Sequence, residues 1–168
     1  MLPVYRQIFL LTALLAFAGV AYAEDAAPAT QAEAVMKVVY HVDFADPRRF
    51  SATLTSINNM VTTYQNNLEE YDIRIVFVAH GIRFVTADAL KGTPFVEDGA
   101  LKARRKNLLE RLRTLHDTQG VKLELCGITR EQVRLDPAKI IPGMELVPSG
   151  VVRIAELQRR GFAYLKIE

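Results

Sequence analysis

The chemistry this chain could perform centres on one thiol. Cys126 is the sole cysteine of the 168 residues, and it stands in the run Leu123-Glu124-Leu125-Cys126-Gly127-Ile128-Thr129. A thiolate, not a thiol, is the nucleophilic form. Gly127 lets the backbone turn tightly or approach closely after it. A short helix is predicted next, over residues 130–135, with Thr129 as its cap and with Arg130 and Arg134 on it. A helix N-terminus and neighbouring cations both stabilise a thiolate. The competing reading is a small hydrophobe buried at a strand end, as free cysteines often are.

Two further places carry chemical residue types. His80-Gly81 closes a predicted strand. A loop imidazole near a thiol could assist proton transfer, and it could equally end the strand by bonding the backbone. Ser149-Gly150 precedes a predicted helix. That is either an anion-binding N-terminus or a plain cap. His41, His80 and His116 are too widely spaced for a metal motif, so no metal site is predicted. Neither G-x-G-x-x-G nor G-x-x-x-x-G-K occurs, no Ser-His-Asp set can be assigned, and no cofactor is predicted.

The elements that must position these residues alternate along the chain. Residues 35–42 are rich in β-branched types and read as a buried strand. Phe50, Leu54, Ile57, Met60, Val61, Tyr64 and Leu68 recur at helical spacing, which predicts a helix over 50–68. Residues 71–79 form a second strand. Residues 84–90 are predicted as a short helix and 91–99 as a loop. A long helix spans 100–119, stopped by Gly120. Residues 121–125 alternate as a third strand, 144–147 give a short fourth, 151–160 a helix, and 162–167 a last strand. Such alternation predicts an α/β fold: a mostly parallel sheet with helices on both faces. In open sheets of this kind function collects at the carboxyl ends of the strands. Asp43, His80, Cys126 and Ser149 all fall at such ends. The basic run Lys102, Arg104, Arg105, Lys106, Arg111 and Arg113 reads as a solvated helix face, with docking of an acidic partner as the alternative.

The N-terminus has the three parts of a secretory signal. Arg6 is the sole charge before Glu24, residues 8–20 are apolar apart from Thr12 and Gly19, and Ala21-Tyr22-Ala23 has the small-x-small cleavage pattern. The expectation is a cleavable signal over 1–23, a flexible leader over 24–34, and one domain over 35–168. The apolar run is shorter than the ~20 residues of a spanning helix, so no stable membrane anchor is expected after cleavage. Lys and Arg total 21 against 19 Asp and Glu, which gives no sign of a nucleic-acid binder. An exported chain meets an oxidising compartment, and one cysteine excludes an internal disulfide.

In their order, these segments resemble the DsrE/DsrF-like family. The resemblance runs from Val38 to Ile167. It rests on the first strand and its helix, Ile75-Val76-Phe77-Val78-Ala79-His80-Gly81, the run around Cys126, and most specifically Val147-Pro148-Ser149-Gly150-Val151-Val152-Arg153-Ile154-Ala155-Glu156-Leu157-Gln158-Arg159-Arg160-Gly161-Phe162-Ala163-Tyr164. It implies a three-layer α/β/α domain with a parallel five-stranded sheet, assembled as homo- or hetero-oligomers. Better-known members carry sulfur as a cysteine persulfide and hand it to a partner's cysteine. Cys126 matches the sulfur-carrying position. The better-known members are cytoplasmic, so the export signal departs from them. The resulting expectation is a periplasmic persulfide carrier, of sulfurtransferase type if active, with separate sulfur donor and acceptor proteins. Its alternatives are an oligomeric binding or assembly module with a structural cysteine, and a small-ligand binder at the strand ends.

Overall fold

The computed structural model describes residues 35–168. The signal and leader read over 1–23 and 24–34 lie outside the described residues.

Five strands form one sheet: β1 Met36–Val42, β2 Tyr71–Phe77, β3 Lys122–Cys126, β4 Met144–Val147 and β5 Ala163–Leu165. Their spatial order is β4-β3-β2-β1-β5, and every pairing is parallel. Parallel neighbours need a crossover, and helices supply it. These are α1 Pro47–Asn66, α2 Gly99–Asp117, α3 Gly127–Gln132 and α4 Gly150–Arg159.

Alternate strand residues face opposite ways, and the two faces are covered differently. Val38, Tyr40, Val42, Ile73, Ile75, Phe77, Leu123 and Leu125 share one core with Phe50, Leu54, Ile57 and Val61 of α1 and Leu101, Leu108, Leu112 and Leu115 of α2. Val39 and Val76 face the other way and pack with Ile154, Leu157 and Phe162. The chain is thus a three-layer α/β/α domain, as expected, with α4 on the thinner side.

Several boundaries move for identifiable reasons. Helix α1 begins three residues earlier than its apolar spacing suggests. Asp46 caps it by accepting from the Arg48 and Arg49 amides at 2.7 and 3.4 Å, and Pro47 suits the first turn. It ends before Leu68, whose φ of 59° is left-handed. The short helix predicted over 84–90 does not form. A 3-10 helix lies earlier, at Ala79–Phe84. Beyond it the backbone is committed to a neighbouring loop: the Val85 carbonyl accepts from the Ile141 amide at 3.0 Å, and Thr86 forms a bridge with Ile140. The helix expected over 130–135 starts instead at Gly127, with Cys126 as its N-cap residue. Thr129 therefore lies inside it and does not cap it. The basic face of α2 is divided. Lys102, Arg104, Lys106 and Arg113 are exposed. Arg111 turns inward to Ser51 and Thr55 of α1, and Arg105 to the carbonyls of Arg83 and Thr86.

Candidate functional site

Cys126 is the last residue of β3, in register with Val147 of β4. Extended backbone ends there and α3 begins at once, so the side chain sits where strand meets helix. Glycines make this junction possible. A Cβ on Gly127 would lie 3.1 Å from the Val147 carbonyl oxygen. One on Gly150, the first residue of α4, would lie 2.6 Å from Val78 Cγ2 and 3.0 Å from Cys126 Cβ. Only glycine lets α4 begin directly against the cysteine.

The residue is 4% exposed. Burial by itself pushes the thiol up. The amides of Gly150, Thr129 and Ile128 and the Thr129 hydroxyl outweigh it, so the thiol is held below its ordinary value. Their physical role is to donate hydrogen bonds that favour the charged form. Thr129 Oγ1 accepts from the Ala79 amide at 3.0 Å. Its own proton therefore remains for the sulfur. The cations suggested by sequence take another course: Arg130 donates to the Leu135 carbonyl at 3.1 Å and pairs with Glu131. Neutral donors, not Arg130, favour the thiolate.

The remaining candidates divide. Gly127 and Gly150 meet at Cys126. Ser149 is the N-cap residue of α4, but its side chain makes no capping bond. His80 lies in the 3-10 helix, and its ring packs edge-on against Phe95 at 5.0 Å. It is next to Ala79, whose amide reaches Thr129. At the β1 end of the same sheet edge, Asp43 accepts from Lys166 at 2.9 Å and stands 3.8 Å from His41 Nε2. Among the described residues no group of His, Cys, Asp and Glu could hold a metal ion.

A polar cluster lies beneath the site, outside the residues singled out from the sequence. Glu124, two residues before Cys126 on β3, is wholly buried. Arg153 of α4 donates to it twice, at 2.7 and 2.8 Å, and Arg74 of β2 once, at 2.8 Å. Arg74 is itself held by Asp72 at 2.8 and 3.0 Å. Burial alone would push the Glu124 carboxyl up, but Arg153 and Arg74 hold it below its ordinary range. A usable signal existed: a glutamate between two leucines in a strand of a parallel sheet must find cations.

In the segments that meet at Cys126, Ile128 of α3 and Val151 and Val152 of α4 expose apolar side chains. Leu146 is exposed too, but it is in register with Leu125 and points to the other face. A groove of about 360 Å³ runs along β4 and α4, lined by Glu145, Val147, Ser149, Val152, Arg153 and Glu156 among others.

Comparisons with known proteins agree with this architecture. A protein of Aquifex aeolicus (strain VF5), described as an uncharacterized protein, is 28% identical over 131 residues. That match takes in 77% of this chain but only 55% of the relative, so the chain spans about half of the relative's length. Among solved structures, a protein of unknown function from Methanobacterium thermoautotrophicum, MTH1491, superposes with a TM-score of 0.58 at 23% identity. It covers 78% of this chain and 98% of its own, and it shows the fold. The ychN protein from E. coli gives a TM-score of 0.49 at 17% identity, covering 79% of this chain and 100% of its own. The model of the DsrE/DsrF-like family matches residues 36–167, nearly all of the described domain, and the chain belongs to that family.

Proposed function

We propose that the chain is an exported sulfur carrier that accepts a sulfur atom on Cys126 as a persulfide and passes it to a second protein. The observation that carries this reading is the setting of Cys126. The sole thiol lies at the carboxyl edge of a parallel sheet, with three amides and a hydroxyl favouring its thiolate. Membership of the DsrE/DsrF-like family supports sulfur-relay chemistry at such a thiol. The thiolate attacks the outer sulfur of a polysulfide, an S–S bond forms to Sγ, and the shortened polysulfide leaves with the electron pair. An acceptor thiolate then takes that outer sulfur, and Cys126 departs as thiolate. The exchange is neutral in electrons, and no internal partner thiol competes for Cys126. The apolar collar of Ile128, Val151 and Val152 offers contact area to a donor, an acceptor or a further subunit in a homo- or hetero-oligomer. The secretory pattern ending at Ala23 supports a periplasmic setting.

Mass spectrometry after incubation with polysulfide tests the reading. The expected result is a one-sulfur adduct on the wild type and none on Cys126→Ser. Equal loading of both, or no loading of either, overturns it. The burial of Cys126 favours a second reading, an assembly module in which the cysteine only fills space. That reading expects folded protein to resist thiol reagents altogether.

A further inference from the structure

Two contacts join β3 to the first turn of α4, and their spacings match. Glu124 and Cys126 are two residues apart on one face of β3, a separation of about 7 Å. Gly150 and Arg153 are one turn apart on α4, about 5–6 Å between side-chain positions. Cys126 abuts Gly150, and Glu124 takes two hydrogen bonds from Arg153 at 2.7 and 2.8 Å. We propose that Glu124 and Arg153 are positioning residues for the thiol, pinning α4 so that the Gly150 amide stays at Cys126; this rests on reading Cys126 as the working cysteine.

A bidentate pair fixes orientation as well as distance, so it sets the rotation of α4 along with its approach. Among the described residues, the pair is the sole ion pair between α4 and the sheet, since the other partner of Arg153 is Glu156 on its own helix. Ser149 contributes no side-chain cap, and Val151 and Val152 face solvent. The apolar anchors Ile154 and Leu157 lie beyond the first turn. Glu124 cannot follow a displaced Arg153, because Arg74 holds it from β2 and Asp72 holds Arg74. A buried ion pair is weak evidence for stability, as well-packed apolar residues often do as well. Two arginines on one enclosed carboxylate fit a positional role. Other titratable groups on this sheet face are Glu145 of β4, in register with Glu124 and acting on Arg153, Lys122 of β3, which pairs with Asp72, Lys37 of β1, and His41, Asp43 and Tyr164 towards the β1 and β5 edge.

The test is the pH profile of Cys126 alkylation in the purified protein, with folding checked by circular dichroism. Arg153→Met and Glu124→Gln should each move the profile upward and slow alkylation near neutral pH by about three- to tenfold, half to one unit. Arg153→Lys should recover part of the rate. A simple through-space effect predicts opposite signs, since one variant removes a positive and the other a negative charge near the thiolate. Opposite shifts, or an unmoved profile in folded protein, overturn the proposal. Should Glu124→Gln not fold, Arg153→Lys against Arg153→Met decides. Lysine keeps the charge, so a through-space effect would restore the wild-type profile, whereas loss of the two-point hold leaves part of the shift. An unmoved profile with intact sulfur loading discards the clamp alone. A moved profile with no loading discards the sulfur reading alone.

Discussion

Thr129 Oγ1 accepts the Ala79 amide at 3.0 Å, across fifty residues of sequence. This bond ties the 3-10 helix after β2 to helix α3 after β3. Ala79 has a φ of 48°, a left-handed conformation that an alanine rarely adopts. The bond orients the hydroxyl so that its proton is free for Cys126. Thr129→Val, nearly the same shape, should therefore do two things. It should destabilise the fold by roughly 1–3 kcal/mol, by stranding the Ala79 amide. It should also slow alkylation of Cys126 near neutral pH. Thr129→Ser should stay close to wild type in both. Denaturant melts and alkylation kinetics on the same samples check this.

Gly150 should tolerate no side chain. The added Cβ of Gly150→Ala meets Val78 Cγ2 at 2.6 Å, and valine cannot swing away. Overpacking of this kind costs about 1–3 kcal/mol. Val78→Ala should restore part of the loss in the double variant, a non-additivity that a double-mutant cycle would measure. Strict additivity would show that the two residues do not meet.

Acid should weaken the fold through Glu124. Its folded-state value is held below the ordinary value of 4.5, so its contribution is present above that value and lost as pH falls through the folded one. Asp43 and Asp72 are lowered as well and act in the same direction. Stability should fall in two stages on acidification: gently from about 6.5, where burial holds His41 neutral in the folded state, and more steeply below about 4.5 through these carboxylates. Glu124→Gln should be less stable at neutral pH, with a shallower decline on acidification. Urea melts across the acid range would reveal a parallel decline if Glu124 contributes nothing.

Phe50 should be the costliest single truncation on the α1 side. Its ring stacks on Phe84 at 4.2 Å and meets Phe77 at 6.0 Å, and the residue is wholly buried. Phe50→Ala should lose about 3–5 kcal/mol. This face is remote from α4, so Cys126 alkylation should hardly change in protein that remains folded.

Export makes a separate prediction. If Ala21-Tyr22-Ala23 is the cleavage pattern, the protein recovered from the periplasmic fraction begins at Glu24. N-terminal sequencing of that fraction, or intact mass, checks it. Retention of residues 1–23 in the cytoplasm would contradict the proposed location.

Much of the fold was legible because strands and helices here keep clean periods. The apolar spacing of Phe50, Leu54, Ile57 and Val61 names the buried face of α1 without ambiguity. The β-branched runs name β1 and β2. Residues 79–90 were not legible, because Val85 and the Thr86 side chain bond residues 141 and 139, and the Ala79 amide bonds Thr129, all far along the chain. Pattern alone cannot announce such partners. The start of α3 was misjudged for a similar reason. Thr129 is a good cap by type, yet its oxygen is taken by Ala79.

The amino-acid order by itself determined that one thiol exists, that it follows a strand, and that alternating strands and helices bring several strand ends to one edge. These are properties of composition and period, which need no distant contacts. Tertiary structure alone decided what surrounds the thiol. Gly150 lies 24 positions from Cys126 and Ala79 lies 47, and parallel pairing of β2, β3 and β4 brings Gly150 against Cys126 and Ala79 against Thr129. The same pairing sets Glu124 opposite Val76, within reach of Arg74 two residues earlier on β2, on the face where α4 lies. Whether burial or donor amides govern Cys126 follows from that packing, because both depend on what is close in space and not on what is near in sequence.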